Sequence, residues 1–378
     1  MIVEDSCRSN DASRIIMHVD FDYFFAQCEE IRRPELRTKP LVVCVLSGRT
    51  EDSGVVSTAN YVARKFGVKS GISIRVAKSK LANVPDAVFL PLDTAHYLQL
   101  SESAMSIISW YADRFEYVGL DECYLDVSTR AESFDAAANL ARKIKDDVKR
   151  ETMLTCSIGV GPNKMLAKMA SDMQKPDGLT VIKPENAAES IAPMDVAKIP
   201  GIGPKTSERL QELGVKTIGD LARFDLFWLI EEFGKKTATY MHNAAQGLDG
   251  EPVIESGERR QIMRITTLKN DAASSAEMQH ALQNLCQSVF QMAANQKLSF
   301  RTVGILLILN NLDNVTRSKS LKFHSTSFEL LHEAAKSLLD NLMGQMGSIK
   351  VRRLGVRLSD LQSNEGQNTL FDFMVPEG

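Results

Sequence analysis

The run Ile15-Ile16-Met17-His18-Val19 constrains the fold more than any other segment of the chain. It is nearly all apolar, which suits a strand covered on both faces at the centre of a sheet, and it stops at a carboxylate, Asp20. An acidic side chain just past a buried strand suits a hard divalent cation, which prefers oxygen ligands. A second acidic site, Asp121-Glu122, forms the turn between apolar strands expected at Phe115–Leu120 and Tyr124–Val127. Taken singly, Asp20 reads as readily as a helix N-cap, and Asp121-Glu122 as a surface turn. Their company decides between these readings.

Further elements alternate along the first half of the chain. Helices are expected at Tyr23–Ile31, Asn60–Phe66, Ala95–Ala112 and Ala136–Glu151. Strands are expected at Pro40–Leu46, Val55–Thr58 and Thr155–Val160, the last opening onto a helix near Asn163. The order lacks the regular βαβ rhythm of a dinucleotide-binding fold, so a mixed α+β sheet is predicted. Ile199-Pro200-Gly201-Ile202-Gly203 begins a separate helical unit reaching Gly247, and Leu248–Gly257, with Asp249-Gly250 and Pro252, reads as a linker. Beyond it come strand Gln261–Leu268, helix Ala276–Asn295, strands Thr302–Asn310 and Ser318–Phe323, helix Ser327–Met346 and strand Val351–Leu358. That is the β-α-β-β-α-β order of a ferredoxin-like domain.

Composition narrows the function classes. With 44% hydrophobic and 25% charged residues the chain is ordinary for a soluble protein. Its most apolar run, Val303–Leu309, falls far short of the roughly 18 residues that span a bilayer. Met1–Arg14 carries Glu4, Asp5 and Asp11 and lacks the apolar core of a signal peptide. Six scattered cysteines without a CxxC pair argue against a zinc or disulfide framework and for a reducing, cytoplasmic setting. The net charge of −3 conceals an asymmetry. Residues 259–361 hold 14 Lys+Arg against 7 Asp+Glu, a surplus that leaves the remainder near −10. A basic unit on an acidic body suggests that one part grips a polyanion.

Several motifs suit phosphate chemistry. Tyr61 and Arg64 stand three apart on a helix and so share a face, where a phenol and a guanidinium fork can hold triphosphate oxygens. Ser157-Ile158-Gly159-Val160-Gly161-Pro162-Asn163-Lys164 runs from strand through a turn into a helix, presenting Lys164 near an anion-attracting N-terminus. It lacks Walker A spacing. Gly201-Ile202-Gly203-Pro204-Lys205 resembles a helix-hairpin-helix, whose glycines let backbone N–H groups approach a DNA phosphate without regard to sequence.

Five segments in order carry a family resemblance: His18-Val19-Asp20-Phe21-Asp22-Tyr23-Phe24-Phe25-Ala26, Ala59-Asn60-Tyr61-Val62-Ala63-Arg64, Leu120-Asp121-Glu122-Cys123-Tyr124-Leu125-Asp126, Asn163-Lys164 and Pro200-Gly201-Ile202-Gly203. The chain resembles the Y-family translesion DNA polymerases, in particular the DNA polymerase IV branch and, around Glu51-Asp52-Ser53-Gly54, its archaeal members. The resemblance implies a right-hand fold with an α+β, mixed-sheet palm (14–31 and 91–179), small fingers (32–90), a helical thumb with a helix-hairpin-helix (180–247), a linker (248–258) and a ferredoxin-like little finger (259–361). Residues 1–13 lie outside it.

The implied activity is template-directed addition of deoxynucleotides to a primer 3′-OH, with low fidelity and no proofreading, by a monomer using two Mg²⁺ ions. Asp20, Asp121, Glu122 and the Phe21 carbonyl match the metal ligands. Tyr61, Arg64, Lys164 and Thr58 match triphosphate contacts. Tyr23, Phe24 and Phe25 fall in the nucleotide pocket, Phe25 as the steric gate against a ribose 2′-OH. Val45, Val55 and Ser57 fall over the templating base. Gly201, Gly203 and Lys205, with Arg352 and Arg353 in the basic domain, are expected on DNA phosphates.

Gln367, Leu370, Phe371 and Phe373 in the tail 362–378 look like a sliding-clamp-binding peptide. The sequence departs from the family pattern around the acidic pair, with Gly119-Leu120 before it and Cys123 after it. A thiol there is expected to be a small buried side chain, with oxidation-sensitive activity if it is reactive. The rivals are another palm-type nucleotidyl transferase or cyclase, and a non-catalytic DNA-binding scaffold. A cyclase has no use for a hairpin, a basic domain or a clamp peptide, and the intact carboxylate trio speaks against a scaffold.

Overall fold

The apolar run at the start of the chain is indeed a central strand. In the computed structural model, which describes residues 14–255, 261–346 and 349–364, β1 (Ile16–Phe21) is the middle of a five-stranded sheet. It is followed by α1 (Phe24–Arg32), β2 (Leu41–Leu46), β3 (Gly54–Ala59), α2 (Tyr61–Arg64), α3 (Ile74–Lys80), β4 (Val88–Pro91), α4 (Thr94–Ser109), β5 (Arg114–Tyr117), β6 (Glu122–Asp126), α5 (Phe134–Thr152), β7 (Cys156–Gly161), α6 (Lys164–Met173) and β8 (Leu179–Val181). The sheet order is β5-β6-β1-β7-β8, antiparallel except for the β7–β8 pair.

Register decides which side chains meet. Asp20 lies opposite Glu122 on β6 and Ser157 on β7, and His18 lies opposite Tyr124. Directly opposed residues share a face, so His18, Asp20 and Glu122 stand together on the side of the sheet covered by α6. Met17, Val19, Phe21, Cys123 and Leu125 take the other face, in a core closed by α4 and α5. Helix α6 touches the sheet backbone to backbone: a Cβ on Gly159 would fall 2.0 Å from the Ala167 carbonyl oxygen.

A second sheet, ordered β3-β2-β4, packs Val42, Cys44 and Val56 against α2 and α3. The helices α7 (Ala187–Ile191), α8 (Pro204–Glu212), α9 (Ile218–Arg223), α10 (Leu226–Phe233) and α11 (Lys235–Ala245) share a core of Ile199, Leu210, Leu221, Leu229 and Met241, to which α6 contributes Leu166 and Met169. The C-terminal elements are β9 (Gln261–Ala272), α12 (Ser275–Asn295), β10 (Leu298–Leu309), β11 (Asn314–Ser325), α13 (Phe328–Met346) and β12 (Val351–Ser363), in the order read from the sequence. They form an antiparallel sheet, β11-β10-β12-β9, with α12 and α13 on one face.

The described chain divides into two compact units, residues 14–45 with 55–255 and residues 46–54 with 261–346 and 349–364. Leu46–Gly54, expected in the fingers, thus groups with the C-terminal unit, where Arg49 donates to the Leu268 carbonyl (2.6 Å) and pairs with Asp271. Several boundaries also move. Asn60 is a cap, its side chain accepting from the Ala63 N–H, and the helix after it is a single turn. Glu122 belongs to β6 rather than to the turn, because the Val118 and Gly119 N–H groups both close onto its carbonyl. Among the described residues no helix is long and apolar enough to cross a membrane.

Candidate active site

β1 brings Asp20 to the rim of its sheet, and the Phe21 N–H donates to the Asp121 carbonyl (2.8 Å), stitching the acidic turn to the strand end. Ser101 on α4 holds the same turn by donating to the Leu120 carbonyl (2.6 Å). Asp20 and Asp121 open into one cleft. Lys175 enters it from just past α6, with Nζ 2.7 Å from Asp20 Oδ1 and 2.7 Å from Asp172 Oδ1. Burial pushes the Asp20 carboxyl up to about 6, outweighing the opposite pull of Lys175. Asp121 is raised as well, by burial and then by the negative charge of Glu122. Two partly buried carboxylates, with a lysine paired to Asp20 and to Asp172 and none paired to Asp121 among the described contacts, are under-neutralised, a condition that favours a hard cation among oxygen donors.

Glu122 is differently held. Its Oε2 accepts from Lys168 Nζ (2.5 Å) and meets His18 Nε2 (3.2 Å), while His18 Nδ1 meets Ser171 Oγ (2.8 Å). The hydrogen bond from His18, followed by the bond and charge of Lys168, lowers its carboxyl to about 2 despite some burial. His18, Asp20 and Glu122 each offer a ligand atom within 4.8 Å of the others. Both His18 nitrogens are engaged and its ring is buried, so it serves to orient Glu122.

The opposite wall comes from α1, β3 and α2. The Arg64 guanidinium lies 4.9 Å over the Tyr61 ring, and its Nε donates to the Ala59 carbonyl (2.8 Å). Tyr61 meets Tyr23 edge-on at 5.1 Å, while the Tyr23 hydroxyl turns away to donate to Glu30 (3.1 Å). Phe25 stacks on Tyr97 at 4.9 Å, and Tyr97 is itself fixed by donating to Glu29 (2.8 Å).

Comparison with known proteins agrees with this geometry. Residues 19–172 match the impB/mucB/samB family, residues 259–370 match its C-terminal domain, and residues 197–249 match the thumb domain of DNA polymerase-iota. A DNA polymerase IV from Nitrosopumilus maritimus is 45% identical over 362 residues, covering 96% of this chain and 99% of its own. The chain belongs to the DNA polymerase IV branch of the Y-family DNA polymerases. Among solved structures, a Y-family chimera of Dbh and Dpo4 superposes with a TM-score of 0.86 at 35% identity, covering 93% of this chain and 100% of the other. An insertion ternary complex of Dbh DNA polymerase follows at a TM-score of 0.68 and 36% identity, covering 93% and 100%. The chain is therefore a DNA-directed DNA polymerase.

Of the residues singled out from sequence, Asp20, Phe21, Tyr23, Phe24, Phe25, Ser57, Thr58, Tyr61, Arg64 and Asp121 meet in the cleft. Lys164 does not. It opens α6 as predicted, but both oxygens of Glu116 hold its ammonium at 2.8 Å, over the Tyr124 ring. The lysine of the cleft is Lys175, at the far end of the same helix, where only a Lys-Pro-Asp-Gly turn signalled it. Val45 and Val55 are exposed and stand outside the cleft lining.

Gly201 has φ +90 beside Tyr240, and Gly203 caps α8 with Lys205 exposed after it. In the C-terminal sheet Leu354, Val356 and Leu358 face the helices, which leaves Arg353 and Arg357 on the uncovered face; Arg357 extends over Gly304 of β10. Arg352 is half-buried at a register shift. Gln367, Leu370, Phe371 and Phe373, like residues 1–13, lie outside the described residues. Cys123 is fully buried on the face opposite Glu122, and burial holds its thiol well above the ordinary range, so a reactive thiolate is not what this position offers.

Proposed function

We propose that this polymerase adds deoxynucleotides to a primer 3′-OH opposite a template, without proofreading, and serves synthesis across damaged bases. One observation carries the reading: Asp20 and Asp121 share a cleft with Tyr61, Arg64 and Lys175. A metal-bound triphosphate needs that combination, anions for the cation and cations for the non-bridging oxygens. The donor set is all oxygen and suits two Mg²⁺ ions, with Asp20, Asp121, Glu122 and the Phe21 carbonyl as ligands. When bound, such ions neutralise the attacking and leaving oxygens of an in-line phosphoryl displacement.

The chain's own residues do the rest. His18 and Lys168 keep Glu122 ionised and oriented. Arg64 presents a planar fork and Lys175 a point charge to the triphosphate, while Thr58 and Tyr61 add hydroxyls. Phe25, backed by Tyr97, excludes a 2′-OH, and Ser57 with Val45 and Val55 covers the templating base. The existence of an insertion ternary complex for a structural relative supports primer-template DNA and a deoxynucleotide as partners. Gly201, Gly203 and Lys205, together with Arg352, Arg353 and Arg357, are the proposed phosphate contacts, and the tail from Gln367 engages a sliding clamp. Residues 14–31 and 91–179 act as palm, 32–90 as fingers, 180–247 as thumb and 259–361 as little finger, in a cytoplasmic monomer.

Primer extension with Mg²⁺ and deoxynucleotides, run beside Asp121→Ala, tests the reading. Wild type should extend the primer and the variant should not. Extension by the variant at the wild-type rate would remove Asp121 from the chemistry. Nucleotide consumption without a primer would point instead to a cyclase or another nucleotidyl transferase, and DNA binding without extension to a scaffold.

A further inference from the structure

Asp22 stays out of the cleft, yet its bonds run to the turn that carries the cleft's lysine. It is 1% exposed, two residues beyond Asp20 at the exit of β1. Oδ1 accepts from Ser157 Oγ (2.7 Å), and Oδ2 accepts from Thr155 Oγ1 (2.9 Å) and from the backbone N–H of Asp177 (2.9 Å). Ser157 Oγ in turn accepts from the Gly178 N–H (3.2 Å). The segment so held, Lys175-Pro176-Asp177-Gly178, leads from α6 back into β8. Its shape is tight: Asp177 has φ +55, and a Cβ on Gly178 would meet the Gln174 carbonyl oxygen at 2.4 Å. A backbone in that conformation persists only where its surroundings hold it.

We propose that Asp22 is a positioning residue for nucleotide binding, anchoring the Lys175–Gly178 turn so that the Lys175 ammonium stands beside Asp20. The inference rests on the reading of Lys175 as a triphosphate contact. One strand then serves the site twice, presenting a carboxylate at the rim and using a second, two residues on, to place the cation that answers the first. The other restraints on the turn are weaker. Asp172 meets Lys175 as a half-exposed i,i+3 pair, the kind that contributes little. Lys145 braces the turn from outside, at Asp177 Oδ1 (2.6 Å) and the Gly178 carbonyl (3.2 Å), but through a half-exposed carboxylate. Among the described residues Asp22 is the buried carboxylate that grips it from within, by charge-assisted bonds shielded from water, beside the backbone bond from the Ile158 N–H to the Gly178 carbonyl (3.0 Å).

The test titrates nucleotide at saturating primer-template for wild type, Asp22→Asn, Ser157→Ala, Lys175→Ala and the double variant Asp22→Asn/Lys175→Ala, with melting temperatures measured alongside. Asp22→Asn should raise the nucleotide KM about tenfold, the scale of one charge-assisted hydrogen bond, and lower kcat by less. Ser157→Ala should move KM the same way by a smaller factor. Lys175→Ala should raise KM at least as much as Asp22→Asn. In the double variant KM should stay within about twofold of Lys175→Ala alone, since the group through which Asp22 acts is gone. Multiplying effects, or an Asp22→Asn protein whose melting temperature falls while its KM holds, overturn the proposal and leave Asp22 a residue of the fold. If Asp22→Asn does not fold, Ser157→Ala with and without Lys175→Ala decides on the same terms. An unchanged KM in Lys175→Ala by itself overturns the triphosphate reading, and the inference with it.

Discussion

Replacing Asp20 by Asn should make the metal-free protein more stable while abolishing its chemistry. The folded state holds the Asp20 carboxyl at about 6 against an ordinary 3.8, because burial outweighs its pairing with Lys175. The difference amounts to about 3 kcal/mol of destabilisation once both folded and unfolded chains are ionised. The sign follows from proton binding. Below about pH 3.8 the carboxyl is protonated in both states and costs nothing; between there and about pH 6 the unfolded chain releases its proton first and stability falls; above that the cost is complete. Asn does not titrate, so the stability gap between variant and wild type should open across this window and then stay level.

Urea unfolding in the presence of a chelator, stepped through pH for both proteins, reads the gap directly and cancels the titrations they share. Excess Mg²⁺ at neutral pH should then narrow it, by stabilising the wild type alone. A gap that is flat with pH, or that widens toward acid, would mean that the lysine wins over burial. The account of an under-neutralised site would then be wrong.

Three further outcomes are expected. Glu122→Gln should abolish primer extension and lower stability at neutral pH by about 1–3 kcal/mol; its carboxyl sits at about 2 in the fold, so the loss should shrink below about pH 4.5 and vanish near pH 2 in urea unfolding. Phe25→Ala should admit ribonucleotides, with discrimination falling about tenfold or more in competition assays; unchanged exclusion would place the gate elsewhere. Lys164→Met should release Glu116 yet leave the nucleotide KM within about twofold; a large rise would return Lys164 to the triphosphate.

The sequence made the sheet legible where one residue type carried a whole strand. Ile15–Val19 could only be central, and the C-terminal β-α-β-β-α-β order follows from strong periodicity in long elements. What it hid was short or relational. β8 has three residues and β4 four, parallel strands with no alternation to read. Asp20, Asp121, Tyr61 and Arg64 are legible in sequence through their company, since each taken singly has an ordinary reading. Lys175 was not, because nothing near it in the chain is acidic in the relevant way: its partner Asp20 is brought by β1, and that pairing exists only after α6 has folded across the sheet. Lys164 shows the same limit from the other side, since a helix N-terminus is visible in sequence while the Glu116 that takes its charge lies on β5.

The joint between Gly159 and the Ala167 carbonyl has a consequence for how such an enzyme can diverge. Where a helix rests on a sheet through side chains, trimming or adding a methyl changes the gap, and the machinery above it drifts. Here two backbones meet with nothing between them to resize, so sheet and α6 behave as one casting. Lys168, Ser171 and, just past the helix end, Lys175 keep their distances to Glu122, His18 and Asp20 within the give of a polypeptide. The facing wall has no such lock, since Tyr61 and Arg64 ride on a single helical turn beside a separate small sheet. That wall can therefore change shape while the half that holds the carboxylates and their lysines stays as it is.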